Sequence, residues 1–290
     1  MANTIALASN YTSLLDEVYK KASVTNDITS PSELIREGED AKTIYYPQIE
    51  MNGLADYDRN NGYVNNSVNV AWKSAEFNYD RGTKISVDVM DDEESRNIAF
   101  GRAGGELMRT KVAPEADAFT FAQIAGTAGI SAGTPTDLTG ATILDALYQA
   151  TVKMDEDEVP AEGRILFITP TLHKTVAMLD TTKSREILAY FSRIVDVPQA
   201  RFYSAIDLLD GKTAGEEIGG YRKASAGKKL NFMVVEPSAL IKWDKHIASN
   251  IILADNNPDA DADIMKYRKY GIVDVYKNKV AGIYTSTATT

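Results

Sequence analysis

The sequence predicts an α+β fold. Three observations carry that expectation: a long helical run from Asp91 to Ala125, strand-like alternation across residues 42–90, and short apolar runs followed by helix signals between residues 164 and 235. The chain has 290 residues, room for one large domain or two moderate ones. Hydrophobic residues make up 44% and charged residues 25%, so a core can form. The formal net charge of −10 argues against a nucleic-acid-binding surface over the whole protein. Cysteine is absent, which excludes disulfides, thiolate nucleophiles and cysteine metal sites. The start has no basic segment ahead of an apolar core, and no stretch nears about 18 apolar residues. The expectation is cytoplasmic synthesis and no membrane partner.

Residues 1–40 are polar and weakly patterned. Leu14, Leu15, Val18 and Tyr19 fit one or two amphipathic turns, and Ser30-Pro31-Ser32 ends whatever precedes it. This segment reads as an arm that orders against something else. Residues 42–51 are strand-like, and Pro47 confines them to an edge. A turn-rich tip follows, with Asn52-Gly53, Asn60-Asn61-Gly62 and Asn65-Asn66. Val68, Val70 and Trp72 then point one way and Asn69, Ala71 and Lys73 the other. Asp80-Arg81-Gly82 reads as a turn into a second strand carrying Ile85, Val87 and Val89. Residues 42–90 thus form an extended hairpin with too few large apolar residues to own a core. A lone hairpin is marginal in water, so this one needs a surface to lie on.

The helical run opens on four acids, Asp91, Asp92, Glu93 and Glu94, where the helix dipole favours negative charge. Asp91 and Glu94 have capping-box spacing. Phe100, Gly104, Met108, Val112, Ala116 and Phe119 lie three or four residues apart and make one apolar stripe. Pro114 conflicts with a helix interior, at a cost of about 3 kcal/mol. Two helices broken at Ala113, or one kinked rod, would accommodate it. The stripe keeps phase across the proline, which favours the rod.

Beyond a small-residue loop at 127–136, Thr139 is placed to cap a helix carrying Ile143, Leu147 and Met154 and ending in the acids 155–158. Arg164–Thr169 reads as a buried strand, and Thr169-Pro170 as the cap and first turn of a helix through Leu172, Val176 and Leu179. Ile187–Phe191 reads as helix, Arg201–Ile206 as strand and 210–229 as an exposed loop. Leu230–Val235 is a second buried strand stopped by Pro237. Asp255–Pro258 is a turn, and Ile264–Tyr276 a strand with Gly271 as a bulge.

Several motifs approach known chemistry and fall short. Gly129-Ile-Ser131-Ala-Gly133 has the nucleophile-elbow spacing, but a helix end precedes it and Thr134-Pro135 follows. Gly211-Lys212-Thr213 resembles the tail of a phosphate loop, yet Ile206 stands where its first glycine belongs. Asp259, Asp261 and Asp263 alternate like a calcium loop, but Ile264 and Tyr270 occupy its glycine and glutamate positions. His173 and His246 have no metal-ligand partner four residues away. Arg222-Lys223 and Lys228-Lys229 lack interleaved aromatics. The residues give no catalytic, cofactor or metal site, and a hydrolase built on Ser131 is the weakest reading.

Five pieces do fit one family. Arg109–Phe119, proline included, resembles the end of the spine helix of tailed-bacteriophage major capsid proteins, which share the Hong Kong-type shell fold. Arg193–Pro198 with Arg201-Phe202-Tyr203, Asn231–Pro237, Asp259–Asp261 and Tyr276–Tyr284 are similar to further segments of that family, in order. The resemblance implies an N-terminal arm (1–40), an extension-loop hairpin (41–83), a peripheral domain (84–132 and 258–277, with spine helix 91–125) and an axial domain (133–257 and 278–290). It implies a structural subunit, not an enzyme, that assembles as hexamers and pentamers into an icosahedral head enclosing double-stranded DNA. A separate scaffolding protein and a portal protein would be its partners, since only some 40 residues precede the hairpin. Its location would be the virion, assembled in the host bacterial cytoplasm. An encapsulin-type compartment shell is the alternative with the same fold. Leu14, Leu15, Leu54, Tyr57 and Tyr63 are the expected inter-subunit contacts on arm and hairpin.

Overall fold

The computed structural model describes residues 22–28, 36–37, 42–51, 53, 55–57, 59–60, 68–94, 99–179 and 181–289. Contacts divide the chain into two compact units, Pro31–Asn78 and the remainder. In the smaller unit, β1 (Arg36–Glu37), β2 (Thr43–Met51) and β3 (Val68–Glu76) form one antiparallel sheet. β2 and β3 pair along their full length, from Thr43 opposite Glu76 to Met51 opposite Val68. β1 covers only Ile44 and Tyr45, so the backbone of Pro47 needs no partner on that side.

The hairpin ends there. β4 (Tyr79–Asp88) pairs along its length with a much later strand instead of with β3. Asp80-Arg81-Gly82 is therefore strand, not turn. The glycine serves close approach: a Cβ on Gly82 would lie 2.8 Å from the carbonyl oxygen of Tyr267. β4 leads directly into α1 (Val89–Glu94). The capping carboxylate is that of Asp88, which accepts the Met90 N–H at 2.9 Å, one turn earlier than Asp91.

α2 (Ala99–Leu107), a π-helical turn (Met108–Val112) and α3 (Ala113–Gly126) run as one long helix from Ala99 to Gly126. Leu107, Val112 and Ala113 all keep right-handed helical dihedrals, so the helix does not break at the proline. The Ala113 N–H reaches back five residues to the Met108 carbonyl. One wide turn thus accommodates the missing N–H and the ring of Pro114. The expected stripe holds at Gly104, Met108, Ala116 and Phe119. α3 departs from it and is buried nearly all round, Phe121 and Ile124 included.

Next come β5 (Ser131–Ala132), α4 (Ile143–Glu156), β6 (Ile165–Ile168), α5 (Pro170–Leu179), α6 (Thr182–Ala189) and β7 (Arg193–Asp196). Thr142, not Thr139, precedes α4. α6 starts earlier than Ile187, behind a reciprocal Thr181–Ser184 cap. The expected strand at 201–206 is not formed before Ile206: a 3₁₀ turn at Gln199–Arg201 delivers Phe202 into the core, and a strand begins only at Ile206. β8 (Ile206–Leu209) and β9 (Gly220–Lys223) form a small hairpin, with β9 inside the expected loop. β10 (Leu230–Val235), β11 (Leu240–Ile252), β12 (Ala262–Val275) and β13 (Ile283–Thr287) complete the chain. β11 falls where no strand was expected and joins β12 and β4 in a three-stranded sheet, although its residues lie in the stretch assigned to the axial domain. Its extra residue, Lys245, faces the Tyr270–Gly271 step, so the bulge lies on the partner of Gly271.

A five-stranded sheet, in order β5-β13-β10-β6-β7, carries the main core. Ile165, Phe167, Met233 and Val235 face α3, while Leu166, Ile168, Phe232 and Val234 face α4, α5 and α6. Both faces are buried, which is why β6 and β10 read as unbroken apolar runs. Phe121 packs edge-on against Phe167 and Phe202, at 5.2 and 4.9 Å between ring centroids. Phe121→Ala should destabilise this unit by about 3–5 kcal/mol, because the surrounding sheet cannot collapse into the void. The check is urea unfolding of the disassembled subunit; a loss below about 1 kcal/mol would show that Phe121 is not a core residue.

Candidate interaction surface

The register of β2 and β3 sorts their side chains onto two faces. Ile44, Tyr46 and Ala75 lie on one and are buried. Tyr45, Met51, Val70 and Trp72 lie on the other, between 40 and 72% exposed. Pro47 stands opposite Trp72 in the same row and is exposed as well. One side of a two-stranded ribbon therefore offers water a band of aromatic, aliphatic and thioether surface. Such a band marks a contact surface more often than a solvated one. Its alternation was visible in Val70 and Trp72, but Tyr45 and Met51 were not among the expected contacts. Of those, Tyr57 is 59% exposed beyond the end of β2. Leu14, Leu15, Leu54 and Tyr63 lie outside the described residues.

A second constellation is buried in the larger unit and centres on Asp117 of α3, which is fully buried. Its carboxylate accepts from Ser23 Oγ (2.7 Å), the Val24 N–H (3.1 Å), the Thr25 N–H (3.3 Å) and Thr25 Oγ1 (2.7 Å). The Arg201 guanidinium adds an ion pair at 3.1 Å and also donates to the Ala22 carbonyl. From β11, Lys242 Nζ donates to the Thr25 carbonyl and to Thr25 Oγ1, at 2.5 and 2.8 Å. Burial lowers the Lys242 pKa to about 8, and Lys269 nearby adds to the shift against the pull of Asp117, Asp244 and Asp27. This network fixes residues 22–25 to the long helix. A carboxylate with so many donors is a structural acceptor.

The near-miss motifs have ordinary occupations. Ser131 donates to Asp157 at 3.4 Å from the short edge strand β5, with α3 ahead of it, so no elbow is formed. In the 210–213 loop the Asp210 carboxylate takes the Lys212 N–H, the Thr213 N–H and the Thr213 hydroxyl. Those bonds, the Thr213 hydroxyl first, hold its pKa down to about 2. The donors that a phosphate would need are used by a group of its own charge. Asp263 accepts the Ala254 N–H, and His173 bonds Asp196 at 2.8 Å. Arg222 pairs with Asp207 and Glu216. Among the described residues no three His, Asp or Glu side chains gather as metal ligands, and no helix is long and apolar enough to cross a membrane.

No family model and no curated sequence matches this chain. Solved structures do. The structure titled Gordonia phage Cozz is 12% identical, with a TM-score of 0.59 over 92% of this chain and 87% of that one. The capsid structure of cyanophage P-SCSP1u is 16% identical, with a TM-score of 0.57 over 88% and 86%. A virus-like particle from Pyrococcus furiosus is 12% identical, with a TM-score of 0.58 over 97% and 99%. At such identities the fold is what is shared, and the chain has the Hong Kong-type shell fold.

Two outcomes test the buried network. Asp117→Ala should cost about 3–5 kcal/mol, since Arg201 and Lys242 lose the charge that offsets their burial. Chemical denaturation reads the loss, and an effect within about 0.5 kcal/mol would contradict the geometry. For Lys242 the folded pKa of about 8 lies below the ordinary 10.5. Below pH 8 both states are charged and burial of the ammonium opposes folding. Between the two values the unfolded chain holds the extra proton, so stability rises with pH. Lys242→Met should flatten that rise between pH 7.5 and 9.5, measured as the difference from the unsubstituted chain.

Proposed function

We propose that the chain is the major capsid protein of a tailed bacteriophage, a shell subunit that works by shape and contact rather than by catalysis. The observation that carries this reading is the hairpin. It presents the band of Tyr45, Met51, Val70 and Trp72 to water, on a chain with the fold of capsid structures. A neighbouring copy provides the surface that such a band needs. Hexamers and pentamers of this subunit then tile an icosahedral head, each arm and hairpin burying area on the next subunit. The proposed division is an N-terminal arm, the hairpin, a peripheral domain around the long helix and an axial domain around the five-stranded sheet. A net charge of −10 suits DNA that is enclosed without adhering. A separate scaffolding protein and a portal complete the assembly, and the subunit resides in the virion after assembly in the bacterial cytoplasm.

The match to a virus-like particle over nearly the whole of both chains keeps a second reading in view, an encapsulin-type shell around protein cargo. Neighbouring genes separate the two. Terminase, portal and scaffold genes support the head; a ferritin-like or peroxidase gene supports the compartment.

Expression with the flanking genes should yield closed shells by electron microscopy, and their absence would overturn both readings. Deleting Asn52–Asn66 should leave a soluble subunit that does not assemble stably. Val70→Asp should do the same with little change in the thermal stability of the subunit, because Val70 is 51% exposed. Normal shells from either variant would remove the hairpin from the assembly contact.

A further inference from the structure

β11 is one edge of the sheet β11-β12-β4, with β12 on its inner side. In an antiparallel strand every second residue turns its N–H and C=O away from the paired neighbour. Over residues 246–252 no described residue bonds those outward groups. The opposite edge of the sheet is guarded. β4 carries Asp80, Arg81, Lys84 and Asp88, charges that discourage a further strand. β11 is guarded only over its first half, where Lys242, Asp244 and Lys245 stand and the bulge at Lys245 breaks the phase. From Ile247 to Ile252 it reads Ile-Ala-Ser-Asn-Ile-Ile, without a charge, a proline or a glycine. Such an edge is an open template for another strand.

One side chain there lacks the cover its neighbours have. Ile247, Ser249 and Ile251 share one face of the sheet, opposite Lys269, Tyr267 and Met265 of β12. Ile251 packs against the cluster of Met108, Met265 and Tyr267, whereas Ile247 is 45% exposed. Consider a second β11 laid antiparallel along the edge, related by a two-fold axis at Ser249. Ile247 of each copy then stands opposite Ile251 of the other, on the same face. Ser249 stands opposite itself, and Ala248 opposite Asn250. The segment is complementary to itself in this register because isoleucine recurs four residues apart.

We propose that Ile247–Ile252 of β11 pairs with the same segment of a second copy, joining two three-stranded sheets into one of six strands. The inference rests on the shell reading and names one of its contacts. The contact is isologous, and an icosahedral lattice of identical subunits supplies two-fold axes for it. The occupant is a second copy because the one register that covers Ile247 covers it on both strands at once, which only an identical strand does by symmetry. Charge selects the same approach. Copies that each carry a net charge of −10 repel one another, and residues 246–252 bring no carboxylate to the contact.

The chain contains no cysteine, so an introduced one reports alone. Particles of Ser249→Cys chains are oxidised mildly. The expected product is a dimer linked 249 to 249, formed in particles and not in the disassembled subunits. Directly opposed residues lie about 4.5–5.5 Å apart at Cα, within disulfide reach. Ile247→Cys controls the register: its two copies would lie about 13 Å apart and should not link to each other. Ile247→Cys chains mixed with Ile251→Cys chains should link one to the other. Ile247→Lys should lower particle yield by about tenfold or more without changing subunit unfolding. Particles that form without the 249–249 link would overturn the proposal and leave the shell reading standing. Equal linking at 247 and 249 would show contact without register and overturn it too. Links from Ser249→Cys to Val70→Cys chains in place of 249–249 would give the edge to a neighbour's ribbon, again overturning it. Failure of the unsubstituted chain to form particles with its flanking genes would overturn both.

Discussion

The larger unit depends on one buried carboxylate. Asp117 satisfies the backbone and hydroxyls of Ser23–Thr25 and the guanidinium of Arg201, and through Thr25 it reaches Lys242. These groups come from the start of the chain, the long helix, the 3₁₀ turn after β7 and the strand β11. Each carries polar atoms that would be expensive to bury alone. Because they share one acceptor, the polar network fixes register where apolar packing would permit sliding. Ile28, three residues on, is the main apolar anchor of the same segment. Position here is set by charge and hydrogen bonds, and packing follows.

The long helix shows a related compromise. It must run past Pro114 and still bury α3 on every side. A plain α-helix would leave the Thr110 carbonyl against the proline ring. The π turn avoids this by moving the ladder out of register over five residues, Met108–Val112. The charged pair Arg81–Glu115, at 2.7 Å, then closes β4 onto the turn that follows. Glu115 and Asp117 both look like solvated acids in an Ala-rich run, yet both are buried and paired.

What the chain reveals without coordinates follows from how local the signal is. β6 and β10 were legible because burial on both faces leaves nothing polar in them. β3 was legible because Val68, Val70 and Trp72 alternate with polar or small residues, although the row of Val70 and Trp72 is the one turned to water. β11 was hidden because Lys242, Asp244, Lys245 and His246 interrupt its apolar residues and the bulge at Lys245 shifts its phase. Asp80-Arg81-Gly82 misled because its turn chemistry serves close strand contact. The hairpin surface was half legible, through Val70 and Trp72, while the partners on β2 emerge only from the register. The Asp117 network could not be read at all: its members lie as much as 217 residues apart, from Thr25 to Lys242.

The pairing of β4 with β12 has a consequence in time. Asp80 and Arg268, bonded across those strands, are separated by 188 residues. A ribosome adds on the order of 5–20 residues each second, so roughly ten seconds or more pass between them. Throughout that interval the β2–β3 hairpin, whose contacts are local, is already synthesised and free to close. The sticky ribbon therefore exists before the body that must position it. For that interval the exposed row of Tyr45, Met51, Val70 and Trp72 belongs to a nascent chain whose larger sheet is still unmade.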